Sequence, residues 1–232
     1  MAKHLARDLE NLQRLILRMA GRVEESIYQA TQALIARDPE LAKKVVESDR
    51  ETDEQENLIQ EECLKMLALH QPVAGDLRRI AMVFSITTDL ERMGDLAVAI
   101  ADRATALAPF ASPTMPEGVL RLTDFVIGMV RQSLDSFVNL DSRHAARVIR
   151  LDDEADRLHA EIIADLIARM KADSACVDAG VSLFSATRHL EQIGDHATNI
   201  AEDVVYLVDG EQVRHRRKNL YDSPTEPRPR ML

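Results

Sequence analysis

Apolar residues recur at steps of three and four over six long stretches of the chain, and the pattern breaks between them at turn-forming residues. The first stretch, from His4 to about Arg37, carries Leu5, Leu9, Leu12, Leu15, Ile16, Met19, Val23, Ile27, Ala30 and Leu34. Asp38-Pro39 reads as an N-cap followed by proline in the first turn, which ends one helix and starts another. The second helix runs from Pro39 to about Leu69, where Gln71-Pro72 breaks it. A third starts near Ala74 or Asp76 and continues to about Leu107, with Pro109, Pro113 and Pro116 forming a linker beyond it. A fourth covers Glu117 to Leu140, Asp141 caps a fifth that reaches about Lys171, and Ala172 to Ser174 turn the chain. The sixth runs from about Cys176 to Val208, where Gly210 ends it.

The seam of the third helix, Val83, Ile86, Leu90, Met93, Ala97, Ile100, Ala104 and Leu107, suits near-antiparallel bundle packing. It returns at an offset of 100 residues as Leu183, Ala186, Leu190, Ile193, Ala197, Ile200, Val204 and Leu207. Upstream the offset is 103, pairing Ala42 with Ala145, Val45 with Val148, Asp49 with Asp152 and Asp53 with Asp156. The chain is therefore read as all-α, two tandem three-helix bundles over residues 1–110 and 111–210, followed by a flexible tail over 211–232.

Composition supports that reading and narrows the chemistry. The 232 residues include no Trp and only 3% aromatic side chains, a palette that favours helices. A net charge of −10 argues against nucleic acid as a partner and for a cation or a cationic surface. Cys63 and Cys176 lie far apart and outside any CxxC pattern, so both are expected to be buried structural thiols. The charged N-terminus lacks the apolar run of a signal peptide, and no stretch is apolar for long enough to span a bilayer, so a soluble cytoplasmic protein is expected. The tail carries six Lys or Arg against three Asp or Glu, a local basic bias.

Acidic residues on apolar seams are the sharpest clue. Leu90-Glu91-Arg92-Met93-Gly94-Asp95-Leu96-Ala97 is echoed by Leu190-Glu191-Gln192-Ile193-Gly194-Asp195-His196-Ala197, so each third helix carries Glu-x-x-x-Asp. Carboxylates at i and i+4 share a helix face, roughly 5–6 Å apart at Cβ, and repel unless something positive lies between them. The preceding helices read as seams through Val46, Asp49, Asp53, Glu56 and Cys63, and through Ile149, Asp152, Asp156, His159 and Leu166. An unpaired charge on an apolar seam is costly, so these groups must be paired, protonated or coordinated. The candidate metal ligands are Asp49, Asp53, Glu91 and Asp95 in the first unit and Asp152, Asp156, Glu191 and Asp195 in the second. Glu56, His159, Asp102 and Glu202 are possible additions, whereas His4, His189 and His196 read as surface or packing histidines. Oxygen donors suit hard or borderline cations, which leaves iron, manganese, magnesium, calcium and zinc open. Each Glu-x-x-x-Asp is expected to close against the acids of the preceding helix. Salt bridges to Arg50, Arg78, Arg79, Arg92, Arg157 and Arg188 are the competing account. Gly94 and Gly194 each cost roughly 1 kcal/mol against Ala inside a helix, which points to close approach of a neighbouring helix.

The run Gln71-Pro72-Val73-Ala74-Gly75-Asp76-Leu77-Arg78-Arg79-Ile80, followed by Asp89 to Asp95, resembles the first half of the PhoU family. Leu190 to Glu202, then Val205-Tyr206-Leu207-Val208-Asp209-Gly210, resembles its second half. The resemblance implies two three-helix bundles related by pseudo-symmetry. It also implies multinuclear metal clusters held by Glu/Asp-x-x-x-Asp motifs, at the eight positions named above. The function it implies is negative regulation of phosphate homeostasis, coupling the ATPase of a phosphate ABC transporter to a membrane sensor histidine kinase so that the starvation response stays off. A cytoplasmic homodimer attached peripherally to those membrane partners, and no enzymatic activity, go with it. Two departures stand out: Gln192 replaces a basic residue, and Ser174-Ala175-Cys176-Val177-Asp178 replaces the Pro-Val-Ala turn. The alternative is a metal-dependent enzyme, a di-iron oxidase or a phosphatase. Its helical sites use Glu-x-x-His, a spacing that only Asp156 and His159 approach.

Overall fold

The computed structural model describes residues 2–110 and 115–210. Pro113 of the expected linker and the whole of the expected tail lie outside the described residues. The helices are α1 (Ala2–Ala36), α2 (Pro39–His70), α3 (Ala74–Leu107), α4 (Gly118–Asn139), α5 (Ser142–Ala172) and α6 (Val177–Asp209), with one 3₁₀ turn (Ser174–Cys176) before α6. Their ends follow local chemistry. The Asp38 carboxylate accepts from the Glu40 and Leu41 amides at 2.9 and 3.0 Å with Pro39 in the first turn, and Asp141 accepts from the His144 amide at 2.9 Å. Gln71 closes α2 in the left-handed conformation, and Gly210 does so for α6 at φ 73°.

Packing divides the chain into α1–α2–α3 and α4–α5–α6, joined chiefly by the contact of α3 with α6 and secondarily by α1 with α4. Asp203 of α6 accepts from the Ser85 hydroxyl of α3 at 2.5 Å, and His196 Nδ1 meets the Asp89 carboxylate at 2.8 Å. Residue numbers rise on one helix as they fall on the other, so the two central helices are antiparallel. The Thr31 and Thr123 hydroxyls bond at 3.2 Å between α1 and α4. One apolar core runs through all six helices. Every seam residue expected on α3 is buried, and on α6 all are except Leu207, which is partly buried.

On α2 and α5 the buried stripe is displaced by one position from the expected one over part of its length and coincides with it at Cys63, Asp152 and Leu166. It runs through Ala42, Val45, Thr52, Ile59, Cys63 and Met66, and through Ala145, Val148, Asp152, Ala155, Leu158, Ile162 and Leu166. Val46 is 43% exposed, and Asp53 and Asp156 are on the surface. Asp53 and Asp156 sit on the rim of the stripe, whereas Asp152, Cys63 and Leu166 of the expected seams are buried in it. Cys63 is buried, which pushes its thiol up to about 12, but Cys176 is only half-buried, because the 3₁₀ turn capped by Asp173 lifts it out of the α6 seam.

Candidate metal sites between the second and third helices of each half

Two antiparallel helix pairs, α2 with α3 and α5 with α6, hold the candidate acids. In the first half the Thr88 hydroxyl lies 3.5 Å from Glu56, and a Cβ on Gly94 would stand 3.1 Å from Asp49 Oδ1 and 3.4 Å from Thr52 Cγ2. Absence of that Cβ is what lets Asp49 lie against the α3 backbone. Burial, then the neighbouring Asp53 and Asp95 charges, push the Asp49 carboxyl up from its ordinary 3.8 to about 6. Glu91 is raised chiefly by burial, then by Asp95, with Glu56 and Asp53 adding to the effect and Arg92 opposing it. The mutual repulsion places Asp49, Asp53, Glu91 and Asp95 in one group, with Glu56 beside it.

The second half repeats the arrangement in a drier setting. Asp152 is 5% exposed and accepts from the Thr198 hydroxyl at 3.2 Å. Glu191 is 9% exposed, and its Oε2 is buried without a hydrogen-bond partner. Burial raises its carboxyl, followed by Asp195, with Asp156 and Asp152 contributing and Arg188 opposing. Burial, then Arg188, lower the pKa of His159 against the pull of Asp156, and its Nε2 is buried and unpartnered. All eight expected ligands are thus gathered, four to each half, with Glu56 and His159 at matching places. Asp102 is exposed two turns beyond Asp95, and Glu202 is 6% exposed two turns beyond Asp195.

Arginines share these sites. Arg92 reaches Asp95 at 3.1 Å and Glu91 at 3.5 Å, and Arg188 reaches Glu191 at 2.9 Å, so the expectation that the motif acids face only carboxylates is corrected. Arg50 and Arg157 pair instead with Glu54, Glu154 and Glu161, outside the groups. Thr198 was not anticipated; its only sequence signal is a small hydroxyl on the α6 side that faces α5. His189 bonds Ser185 and Gln192, and His196 bonds Asp89, so both are packing histidines. Gly194 differs from its twin: a Cβ there would meet Val126, Ala155 and Met129 at ordinary distances of 3.7–3.8 Å. The α5 residue facing Gly194 is Ala155, where α2 presents the bulkier Thr52 with Asp49 to Gly94.

Among the described residues no three His, Cys, Asp or Glu side chains close around a single ion. The backbone groups the carboxylates without converging them on one point. The donor set still fits a hard cation in kind, being carboxylate oxygens with one imidazole. The Glu191 Oε2 left without a hydrogen-bond partner and the raised carboxyls mark acids whose charge is only partly balanced within each group.

Six helices in two like halves, each gathering four acids between its second and third helix, define a two-unit helical protein with twin acidic sites. The chain belongs to the PhoU family, whose PhoU domain matches residues 16–104 and again 119–204. It is 40% identical over 209 residues to the phosphate-specific transport system accessory protein PhoU homolog of Pseudomonas putida, covering 90% of this chain and 82% of that one. The homolog from Aquifex aeolicus is 38% identical over 213 residues, 91% of this chain and 96% of the other. Among solved structures, PhoU from Pseudomonas aeruginosa aligns with a TM-score of 0.82 at 37% identity, over 89% of this chain and 99% of that one. The phosphate transport system regulatory protein PhoU from Streptococcus pneumoniae aligns with a TM-score of 0.84 at 27% identity, over 90% and 99%.

Proposed function

We propose that this protein is a non-enzymatic accessory regulator of phosphate uptake. In this reading it couples the transporter ATPase to a membrane sensor histidine kinase and represses the phosphate-starvation response. It works as a cytoplasmic homodimer held at the membrane by those partners, and among the described residues no helix is long and apolar enough to cross a bilayer. Family membership and the names of its relatives support the phosphate-transport role.

The regulatory state is proposed to depend on metal held by Asp49, Asp53, Glu91 and Asp95 in one half and Asp152, Asp156, Glu191 and Asp195 in the other, with Glu56 and His159 as adjoining donors. The observation that carries this is the repeated four-acid group, with one buried carboxylate oxygen unpartnered and Asp49 held up at about 6. A bound divalent or trivalent cation would supply the positive charge that lets such carboxylates stay ionised together. Within each half the protein's part is to hold two acids on each of two helices at fixed register. Thr198 orients Asp152 from the opposing helix.

Calorimetric titration of the chelator-treated protein with Mn²⁺, Mg²⁺ and Fe²⁺ tests the site. Binding is expected in both halves, and Glu91→Ala and Glu191→Ala should each remove the sites of one half only. Loss of no sites in either variant sinks the ligand assignment. Deleting the gene should switch on phosphate-starvation genes in phosphate-rich medium; unchanged expression there rejects the regulatory claim.

A further inference from the structure

The outer sides of the central helices carry more than acids. Along α6, Val177, Val181, Phe184, Arg188, Glu191 and Asp195 follow steps of four and three, so they make one row on one side of the helix. The first three are 40%, 58% and 44% exposed. On α3 the same row holds Leu77, 44% exposed, then exposed Ala81 and partly buried Phe84, before Thr88, Glu91 and Asp95. The twofold rotation that exchanges two antiparallel neighbours is perpendicular to their plane, so it leaves each side facing the same way. Both rows therefore lie on one face of the molecule. Their acids meet near the middle, because Asp89 faces His196 and Ser85 faces Asp203, and their apolar residues lie towards opposite ends. At 1.5 Å per residue, the two phenylalanines mark points roughly 27 Å apart along the helix pair.

We propose that this face docks one amphipathic helix of a partner protein, basic in its middle and apolar at both ends, laid along the α3–α6 pair. The distance matches a helix of roughly 18 residues. Charge selects the occupant. A second copy of this chain would bring its own acidic middle against this one, and an anionic bilayer would be repelled by it. Arg92 and Arg188 already show how a cationic side chain meets these acids, and Asp95 is exposed on the same row. In one respect the inference rests on the metal reading: a cation and the basic helix would share carboxylates, so metal loading should weaken docking.

The probe is a labelled synthetic helix of 18 residues with Leu at both ends and Lys in the middle, titrated by fluorescence anisotropy into the metal-free full chain. A matched peptide with Glu in the middle is the control. The Lys peptide is expected to bind at least tenfold more tightly than the Glu peptide. Ala81→Asp and Val181→Asp, both at exposed positions that leave the core untouched, should each weaken it about tenfold, and saturating Mn²⁺ about threefold. Equal affinity for the two peptides, or indifference to both substitutions, overturns the proposal. So does equal binding to anionic vesicles, or self-association by light scattering that both substitutions abolish. Lys-peptide binding without any Mn²⁺ heat would sink the metal reading alone, whereas Mn²⁺ heat without peptide binding would sink docking alone.

Discussion

The twin glycines make opposite demands on a methyl group. Replacing Gly194 by Ala gains roughly 1 kcal/mol of helix propensity, since Ala loses less backbone entropy than Gly. The new Cβ would meet Val126, Ala155 and Met129 at 3.7–3.8 Å, contact without compression. Gly194→Ala should therefore stabilise the metal-free protein by about 1 kcal/mol, a rise of roughly 2–4 °C in Tm for a chain of this size. Gly94→Ala gains the same propensity but sets a methyl 3.1 Å from Asp49 Oδ1 and 3.4 Å from Thr52 Cγ2. The carboxylate is the free end of a side chain and can turn away, so the variant should fold, with its gain reduced by up to about 1 kcal/mol. Its cost should appear in the first half as weaker cation binding, because Asp49 has moved, while the second half is unchanged. Urea denaturation of both variants, read beside metal titration, measures all of this. A destabilised Gly194→Ala, or a Gly94→Ala as stabilising as its twin with unaltered binding, refutes the reasoning.

Three further outcomes follow from the packing and the charges. Asp49 holds its proton more tightly folded than unfolded, so its contribution is full below pH 3.8 and lost as pH rises through about 6. Discounted for partial exposure, it should cost the metal-free protein about 1–2 kcal/mol between pH 4 and pH 7. Glu91 and Glu191 shift in the same direction, and Asp49→Asn should flatten the measured pH–stability curve. Val45→Asp, at 1% exposure, should cost several kcal/mol, about 3 or more, whereas Val46→Asp, at 43%, should stay within about 0.5 kcal/mol in chemical denaturation. Thr198→Val removes the hydrogen bond to buried Asp152 and should destabilise the metal-free protein by about 1–3 kcal/mol in chemical denaturation.

Six helices, their caps at Asp38, Asp141 and Gly210, and the seams of α3 and α6 could all be read from residue order. These depend on local periodicity and on side chains that bond their own backbone. The twin motifs were legible too, because a repeat offset needs no geometry to be seen. On α2 and α5 the reading slipped by one position in places, as at Val46 and Asp53, and held at Cys63, Asp152 and Leu166. Val45 and Val46 are adjacent and equally apolar, and only the position of α3 decides which of them is buried. Likewise Gly94 and Gly194 look identical in sequence, but the neighbour facing one is Asp49 with Thr52 and the neighbour facing the other is Ala155.

The sequence by itself determined an all-helical chain of two like halves and which eight acids were candidates, because helix formation and periodicity are short-range properties. Tertiary structure decided that these acids gather into two groups, that Arg92 and Arg188 share them, and that Glu191 Oε2 is left alone. It also decided that the acids and apolar rows of α3 and α6 lie on one face. Those facts depend on how separate helices are rotated and registered against one another. That rotation and register are set by the sum of contacts along a shared core, which no single stretch of sequence contains.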